Sequence, residues 1–234
     1  MKLALMQPYL FPYIGYFQLV AAVDRFVFYD DVNYIKNGWI NRNRIANHGT
    51  ARYFTVPLSD ASPFQAINTV RTQPPATWRR TLLESLRHQY RRAPHYAAVA
   101  ALVEDVFGSD SDAIADIARG SVVRCADYIG LATDFVPTSA HYGNHELKAS
   151  QRVLDICRRE AADEYWNLPG GRVLYDSAEF AEHGIALHFV DPIPFSYAQG
   201  SHDFVPGLSI IDVLMHNPPS AVRAHLLHAQ AVAA

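Results

Sequence analysis

The first thirty residues contain the pattern that most limits the possible fold of this chain. Two short apolar runs, residues 2–6 and 25–29, flank a segment in which Ile14, Phe17, Val20 and Ala21 recur at helical spacing. A strand, a helix and a second strand in this order indicate the start of a βαβ unit. Because the strands of such a unit are parallel and its crossover is right-handed in nearly all proteins, the pattern predicts a parallel sheet covered by helices.

The rest of the chain continues the alternation of strands and helices. We predict further strands at residues 38–45, 51–57, 134–137, 164–167 and 185–190, and helices at residues 77–92, 95–107, 112–129, 147–159, 177–183 and 208–215. With 234 residues, the chain is long enough to bury one substantial core. The sequence therefore predicts a single α/β domain over residues 1–234, with a mainly parallel Rossmann-like sheet flanked by helices and a helical segment at about residues 77–131.

Composition excludes several classes of protein. Half of the residues are hydrophobic and 18% are charged, which argues against a disordered chain. The net charge of −3 lacks the basic excess of nucleic-acid-binding proteins, so we expect no nucleic-acid partner. No apolar run approaches the ~18 residues of a membrane span, and the first apolar run is too short for a secretory signal. We therefore expect a cytoplasmic protein.

The two cysteines indicate neither a disulfide nor a zinc site. In a cytoplasmic protein, Cys125 and Cys157 are expected to be reduced thiols. Their number and spacing match no zinc motif, so we predict no metal site, and we predict no cofactor. Cys157 is a possible nucleophile for covalent catalysis. It also shares an apolar helical face with Val153 and Leu154, which favours a packing role.

The loop that follows the first strand is stiffened by Pro8 and Pro12. In open parallel sheets, ligands bind beyond the carboxyl ends of the strands, where the N-terminus of the next helix favours an anion. Tyrosines at such a place offer flat faces with a polar hydroxyl group. We predict four substrate-binding residues here, Gln7, Tyr9, Tyr13 and Tyr16.

The second strand runs into a dense polar segment, residues 29–43. Two neighbouring acids, Asp30 and Asp31, are predicted to be catalytic, because paired acids serve as a base and its orienting group or hold a cation or an amine. The other predicted substrate-binding residues of this segment are Asn33, Tyr34, Lys36, Trp39, Asn41 and Arg42. Amides and guanidinium groups bind hydroxyls, carboxylates or phosphates, and an indole ring stacks on a sugar or a base. The alternative explanation is a polar turn with solvated charges.

Later strands place further candidates at the same edge of the predicted sheet. His141 follows the strand at residues 134–137 and is a possible general base near neutral pH, although a surface position is also expected for it. Asn167 ends the strand at residues 164–167 and is predicted to bind substrate. On the last predicted helix, Asp212 and His216 are spaced as a base and its orienting group or, more simply, as a surface pair.

Several motifs together resemble the WbqC-like family of bacterial proteins. They are QPYLFPYIGYF at residues 7–17, FYDDVNYIK at 28–36, GWINRN at 38–43, VPL at 56–58, RVLDIC at 152–157 and LSIIDVL at 208–214, with Asn167, Gly170-Gly171 and Leu174-Tyr175-Asp176 between the last two. The resemblance covers nearly the whole chain. Its N-terminal motifs are long and highly specific.

The resemblance implies a role in biosynthesis, because similar proteins are associated with gene clusters for surface polysaccharides and specialised metabolites. Some of those clusters make amino sugars with N-linked amino acids. The implied activity is transfer of an acyl or aminoacyl group to an amino sugar or another small amine. The donor would be a thioester of coenzyme A or of an acyl or peptidyl carrier protein. Asp30 or Asp31 would deprotonate the amine, while Lys36 and Arg42 would hold an anionic group.

Two other functions fit the same sequence. One is a nucleotide- or nucleotide-sugar-dependent transferase, such as a glycosyl- or nucleotidyltransferase. Nucleotidyltransferases have the signature His-x-Gly-His where this chain has Tyr13-Ile14-Gly15-Tyr16, and the missing histidines argue against adenylyl transfer. The other is a non-enzymatic partner protein that holds a biosynthetic intermediate.

Overall fold

The computed structural model describes residues 1–200 and 203–233, with the backbone alone at residues 229–233. The strands are, in chain order, β1 (Lys2–Met6), β2 (Arg25–Phe28), β3 (Arg42–Asn47), β4 (Thr50–Thr55), β5 (Leu58–Ser59), β6 (Arg71–Thr72), β7 (Asp134–Val136), β8 (Glu164–Asn167) and β9 (Ala186–Phe189). The α-helices are α1 (Ile14–Ala22), α2 (Pro75–Tyr90), α3 (Tyr96–Phe107), α4 (Ile114–Ile129), α5 (Ala149–Arg159), α6 (Ser177–Glu182), α7 (Ile210–His216) and α8 (Pro219–Ala233).

The centre of the molecule is a parallel sheet of five strands in the order β7-β2-β1-β8-β9. Numbered by their sequence within the sheet, these strands read 3-2-1-4-5, so the direction of strand addition reverses between β1 and β8. A crevice opens outside the carboxyl ends of the two strands at such a reversal. The predicted parallel Rossmann-like sheet is confirmed.

Helices cover both faces of the sheet because alternate side chains of each strand point to opposite faces. On one face, Leu3 and Leu5 of β1 pack with Val153 of α5 and Phe180 of α6. On the other face, Ala4 belongs to the large apolar core that includes side chains of α1, α4, α7 and α8. Strands buried on both sides explain why β1 and β2 are almost continuously apolar in sequence.

The predicted helical segment contains α2, α3 and α4, and it belongs to the same apolar core as α1. Its first helix begins at Pro75, two residues before the predicted start, because a proline fits the first turn of a helix, where the missing N–H has no intrahelical acceptor. Its last helix ends at Gly130, whose φ of +83° gives the left-handed cap that glycine adopts readily.

The hairpin of β3 and β4 begins four residues later than predicted. His48 and Gly49 at its tip have φ of +49° and +78°, as in the two-residue turns that match the twist of a hairpin. The preceding residues bond to a different loop instead, since the Trp39 carbonyl accepts from the Leu10 N–H at 2.9 Å. The two-residue strands β5 and β6 and helix α8 were not predicted.

Between β9 and α7, residues 190–200 and 203–208 form neither helix nor strand. The sequence predicts a proline-rich loop at residues 192–206, of which Ser201 and His202 lie outside the described residues. Gln18 of α1 fixes the start of this loop, because its side-chain amide donates to the Ile193 carbonyl at 2.8 Å and accepts from the Ile193 N–H at 3.1 Å. The loop is therefore anchored to the helix that follows β1.

Candidate functional site

The loops that follow β1 and β2 meet at the carboxyl edge of the sheet. The two strands are parallel neighbours, and the Tyr29 N–H donates to the Met6 carbonyl at 2.9 Å just where the strands end. Further out, the bond between Leu10 and Trp39 joins the two loops again. The aromatic loop and the acid-rich segment of the sequence are therefore neighbours in space.

A small cavity of about 230 Å³ lies between these loops and the β3 strand, and we refer to it as the aromatic pocket. Its lining residues are Tyr9, Pro12, Tyr13, Trp39, Asn43, Arg44 and Gly207. The pocket brings together three of the predicted substrate-binding residues, Tyr9, Tyr13 and Trp39. Flat aromatic walls of this kind suit a sugar ring or another planar group.

Arg44 gives the aromatic pocket a positive charge that the sequence analysis did not single out. Its guanidinium group lies 5.6 Å from the centre of the Trp39 ring, and its Nη2 donates to the Gly207 carbonyl at 3.0 Å. Its Nε is buried and has no hydrogen-bond partner among the described residues. A buried donor without a partner is costly, and the guanidinium as a whole gives the pocket wall its positive charge.

The aromatic loop is held rigidly in an unusual backbone conformation. Phe11 has φ of +42°, which is rare for a residue with a side chain. Asn43 donates to the carbonyls of Leu10 and Phe11 at 3.0 and 2.9 Å, and the Ser209 hydroxyl donates to the Phe11 carbonyl at 2.7 Å. The Phe11 N–H donates to the Ser121 hydroxyl at 2.7 Å. Contacts with three separate elements thus fix the shape of the pocket before any ligand binds.

Tyr13 covers the N-terminus of α1, where the sequence favours an anion. A Cβ atom built on Gly15 would lie 2.3 Å from Cε2 of the Tyr13 ring, so only glycine leaves room for the ring. The Ile210 N–H also donates to the Pro12 carbonyl at 2.8 Å next to this turn. The helix N-terminus is therefore closed by the protein itself, and Tyr13 turns an aromatic surface toward the pocket.

Asp30 is the buried acid at the tip of β2. Its carboxylate accepts from the Thr138 hydroxyl at 2.6 Å, and its N–H donates to the Ser139 hydroxyl at 3.2 Å. The residue is only 2% exposed, and this burial raises the pKa of its carboxyl group; the neighbouring Asp31 raises it further, whereas Thr138 and Arg119 oppose the shift. A carboxylate with a raised pKa can accept and return a proton closer to neutrality.

Asp31 forms an ion pair with the buried Arg152. In the sequence, Arg152 stands out only as part of the RVLDIC motif. The two carboxylate oxygens of Asp31 bond to the Ser139 hydroxyl and to the Arg152 guanidinium. The Arg152 side chain is 4% exposed, and its Nε donates to the Asn144 side chain at 3.0 Å. The guanidinium also lies 4.9 Å from the centre of the Tyr29 ring. Asp31 is thus neutralised, which leaves Asp30 as the acid without an arginine ion pair in this network.

Helix α4 connects the acid network with the aromatic loop. The Ser121 hydroxyl lies between the Phe11 N–H, at 2.7 Å, and the Tyr9 carbonyl, at 3.4 Å. Two residues earlier on the same helix, Arg119 is close enough to Asp30 to lower the pKa of that carboxyl group, and it donates to the Pro137 carbonyl at 2.7 Å. The acid network and the aromatic loop therefore rest on one rigid element.

Several predicted substrate-binding residues use their polar atoms to hold the loops. The Tyr16 ring is fully buried, and its hydroxyl donates to the Gln7 carbonyl at 2.9 Å. The Tyr34 hydroxyl donates to the Asn41 side chain at 2.9 Å, which in turn donates to the Val56 carbonyl at 2.9 Å. These hydrogen bonds set the position of the loops, so Tyr16, Tyr34 and Asn41 act on the site through its shape.

Charged residues of the same segment differ in how they are engaged. The Arg42 guanidinium donates to the carbonyls of Asn37 and Gly38 and lies 4.6 Å from the centre of the Tyr53 ring. Lys36 is exposed, as is Asn33. Arg42 therefore stabilises the turn, whereas the Lys36 ammonium group extends toward solvent.

The residues after β8 form a tight, buried turn. Asn167 is buried; its amide group donates to the Tyr165 hydroxyl at 3.0 Å and accepts from the Leu168 N–H at 2.7 Å. A Cβ atom on Gly171 would lie 3.0 Å from the Asn167 side chain. Asn167 therefore fixes the turn beside the crevice between β1 and β8.

The remaining catalytic candidates lie in different surroundings. His141 is exposed, in the short 3₁₀ helix Ser139–Tyr142 that also positions the Ser139 hydroxyl. Cys157 is fully buried on the face of α5 that packs against the sheet, and this burial raises the pKa of its thiol to about 12. A thiol with so high a pKa is protonated at neutral pH and is a poor nucleophile. Burial likewise raises the pKa of the Cys125 thiol.

Sequence reasoning missed residues whose role depends on contacts between distant segments. These are Arg44, Thr138, Ser139, Asn144 and Arg152. A signal for Arg152 is present, because it precedes Ile156 by one helical turn and so lies on the apolar face of α5. Charged side chains are almost never fully buried unless they are paired, so an arginine on that face predicts a buried acid opposite it.

The described residues contain no group of three or more histidine, cysteine and acidic side chains that could hold a metal ion. Within the described part of the chain, no helix combines the length and the apolar character required to cross a bilayer.

Comparisons with known proteins identify relatives of unassigned activity. The chain is 28% identical over 219 residues to the uncharacterized protein Rv1507c of Mycobacterium tuberculosis (strain ATCC 25618 / H37Rv), and the match covers 92% of this chain and 93% of the relative. No solved structure matches the chain. Residues 7–224 match the WbqC-like protein family, a range that includes the aromatic pocket and the acid network. The chain therefore belongs to the WbqC-like protein family.

Proposed function

We propose that this protein is a cytoplasmic transferase that forms an amide on an amino sugar or another small amine of a biosynthetic pathway. The acyl or aminoacyl group comes from a thioester. The observation that supports this function most directly is the buried, raised-pKa carboxyl group of Asp30 beside a second acid already neutralised by Arg152. Asp30 can therefore accept a proton, whereas Asp31 positions its neighbours. Paired carboxylates in other enzymes divide their roles in the same way.

In the proposed reaction, the amine nitrogen attacks the thioester carbonyl, a C–N bond forms and the C–S bond breaks. Asp30 takes the proton that the nitrogen loses, and that proton then passes to the departing thiolate. Arg152 holds Asp31, and Asp31 accepts from the Ser139 hydroxyl, which in turn accepts from the Asp30 N–H. His141, two residues beyond Ser139, is a second base in this proposal.

The aromatic pocket holds the body of a substrate in this proposal. Trp39 stacks on a ring, and Tyr9 and Tyr13 form the other walls. The Arg44 guanidinium, which lines the pocket, binds an anionic group of the substrate, and it takes the role that the sequence assigned to Arg42. Lys36, exposed on the neighbouring turn, contributes a second positive charge for an anionic group.

The proposal is tested by incubating the protein with aminoacyl and acyl thioesters of coenzyme A and of N-acetylcysteamine, together with a panel of amino sugars and small amines. Mass spectrometry should detect an amide, and Asp30→Asn should lower its rate by about a hundredfold, as expected for loss of a general base. The control is Asp134→Asn, an exposed acid at the opposite, amino end of β7. Absence of amide across the panel, or an Asp30→Asn variant as fast as the wild type, would contradict the proposal.

A nucleotide- or nucleotide-sugar-dependent transferase is the second candidate, and the strand order favours it. The reversal between β1 and β8 is the place where doubly wound sheets bind nucleotides. The closed N-terminus of α1 argues against it, since the diphosphate of a nucleotide usually binds at that helix end. Thermal shift assays with nucleoside diphosphates and nucleotide sugars distinguish the two: protection by sugar nucleotides without amide formation supports this candidate instead.

A further inference from the structure

A second cavity, of about 1000 Å³, lies between the β3–β4 hairpin, the end of α2 and the end of α7. It shares no lining residue with the aromatic pocket. We refer to it as the basic cavity, because its charged and titratable lining residues include Arg52, Arg91, Arg92, His88, His216 and Glu84. A volume of this size accommodates a ligand as large as a coenzyme.

The charge of the basic cavity is opposite to that of the whole protein. Among the described lining residues, three arginines face a single acid, Glu84, and that acid is already 3.9 Å from the Arg80 guanidinium outside the cavity. The chain as a whole has a net charge of −3. A concave surface with an excess of one charge raises the local concentration of ions of the other sign, so the cavity attracts anions.

A network of buried polar groups lies next to the basic cavity and shares Gln199 with its lining. The Tyr90 and Tyr197 hydroxyls donate to the two carboxylate oxygens of Asp212 at 2.6 and 2.7 Å, and the Gln199 amide donates to the same carboxylate at 3.0 Å. Tyr90 also accepts from the Ala46 N–H at 3.2 Å, which ties α2 to β3. The simpler expectation for Asp212, an exposed surface pair, is wrong: it is fully buried because three donors replace its water.

The basic cavity and the aromatic pocket are adjacent along one strand. Arg44 of β3 lines the pocket, whereas Ile45 and Asn47 line the cavity. A strand rises about 3.3 Å per residue, so the stretch from Arg44 to Asn47 covers about 10 Å. The two cavities are therefore lined by consecutive residues of one strand.

We infer that the basic cavity binds the phosphate-bearing end of a small-molecule donor, such as the nucleotide diphosphate part of a coenzyme thioester. Arginine is the preferred partner of phosphate, because its planar guanidinium donates two parallel hydrogen bonds. Arg52 approaches from β4, while Arg91 and Arg92 approach from the residue pair that follows α2. Binding of phosphate stands on these residues alone; its assignment to the acyl donor rests on the proposed function.

The inference is tested by isothermal titration calorimetry of the full chain at fixed ionic strength. The probes are coenzyme A, ADP and pantetheine, which lacks phosphate. Coenzyme A and ADP should bind, and pantetheine should bind at least about tenfold more weakly, because it cannot form charge-assisted hydrogen bonds. The paired substitution of Arg91→Gln with Arg92→Gln should weaken coenzyme A binding by about tenfold or more.

Arg87→Gln is the matched control, since this exposed arginine lies on α2 one turn before Arg91 and outside the cavity. It should change the affinity by less than about twofold, as expected for an exposed charge. Arg52→Gln, on the hairpin, repeats the test from the other wall. The inference is overturned if neither phosphate probe binds, if pantetheine binds as tightly as coenzyme A, or if no arginine variant changes the affinity.

Turnover with the N-acetylcysteamine thioester separates this inference from the proposed function, because that donor has no phosphate. Amide formation from it by the wild type, together with coenzyme A binding that Arg91→Gln with Arg92→Gln weakens, supports both. Amide formation without any binding of phosphate probes overturns the basic cavity as the donor site and leaves the amide-forming activity in place. Binding of phosphate probes without amide formation from any thioester supports the cavity and contradicts the proposed reaction.

Discussion

At the scale of single residues, the site depends on where charges are buried. Arg152 and Asp31 neutralise each other beneath the carboxyl edge of the sheet, with Asn144 and Ser139 at their remaining polar atoms. Sequence could predict the acids, because two adjacent aspartates after an apolar strand are conspicuous. It could not assign the arginine, because a partner 121 positions away is determined by the fold.

We predict a large coupling energy between Asp31 and Arg152 in the stability of the folded protein. Arg152→Met leaves Asp31 with its charge unpaired, and we expect a loss of about 3 kcal/mol in the free energy of unfolding. Asp31→Asn combined with Arg152→Met should lose clearly less than the sum of the two single changes. Urea unfolding measures all three variants. Arg158→Met, an exposed position on the same helix, is the control and should stay within about 0.5 kcal/mol of the wild type. Strict additivity would contradict the pairing.

Asp30 predicts a pH dependence of stability. Its pKa is raised above the ordinary value of 3.8, so its contribution to stability is fully present below that value and is lost as the pH rises through the folded-state pKa. The stability of Asp30→Asn relative to the wild type should therefore increase with pH across this range. In Asp30→Asn, loss of the hydrogen bond from the Thr138 hydroxyl changes this stability difference by the same amount at every pH. Urea unfolding from pH 4 to pH 7 measures the difference; a difference that decreases with rising pH would refute the raised pKa.

We predict that the thiols of Cys125 and Cys157 do not react in the folded protein. Both thiols are fully buried, and the pKa of Cys157 is raised to about 12. Iodoacetamide should modify neither thiol until urea unfolds the protein, which mass spectrometry of the intact chain can follow. Cys157→Ala should keep most of the proposed amide-forming activity. A folded Cys157→Ala variant without activity would restore the predicted covalent role of this residue.

At the scale of secondary-structure elements, periodicity predicted most strands and helices of the main sheet. The strands Lys2–Met6 and Glu164–Asn167 match their predicted bounds, because short apolar runs between turn residues admit few alternatives. The hairpin was misplaced, because residues 38–41 follow the pattern of a strand but bond to the loop after β1 instead. Asn41 is where the pairing stops: its carbonyl still accepts from the Val56 N–H at 2.8 Å, while its side chain accepts from Tyr34 and donates to the Val56 carbonyl.

We predict that Gly15, in the first turn of α1, leaves the room that keeps the Tyr13 ring in the aromatic pocket. Gly15→Ala would place a methyl group 2.3 Å from the Tyr13 ring, so the ring must leave its place in the aromatic pocket. We expect the affinity for a ligand of this pocket to fall by about tenfold, or ~1.4 kcal/mol. Calorimetric titration with the acceptor measures the change.

Gly120→Ala is the matched control for the glycine change. Nothing lies within 4 Å of a Cβ atom at Gly120 in α4, so this variant should gain about 0.5–1 kcal/mol of stability with unchanged affinity. Equal affinity in the two alanine variants would show that Tyr13 does not shape the ligand site.

At the scale of the whole molecule, sequence predicted the parallel α/β architecture but not the strand order. The order β7-β2-β1-β8-β9 depends on pairing between segments more than a hundred residues apart, which no local pattern specifies. That order places Thr138 and Ser139, which follow β7, against the acids that follow β2. The site could therefore be placed at the carboxyl edge from sequence, while the partners of its acids could not.

The central claim is that the loops after β1 and β2 form a single substrate site at the carboxyl edge of the sheet. A crystal structure with a bound amine acceptor identified in the thioester assay tests it most directly. We predict that the acceptor contacts Trp39 in the aromatic pocket and that its amine nitrogen lies within hydrogen-bond distance of the Asp30 carboxylate. An acceptor bound away from both loops, or with its amine turned away from Asp30, would contradict the claim.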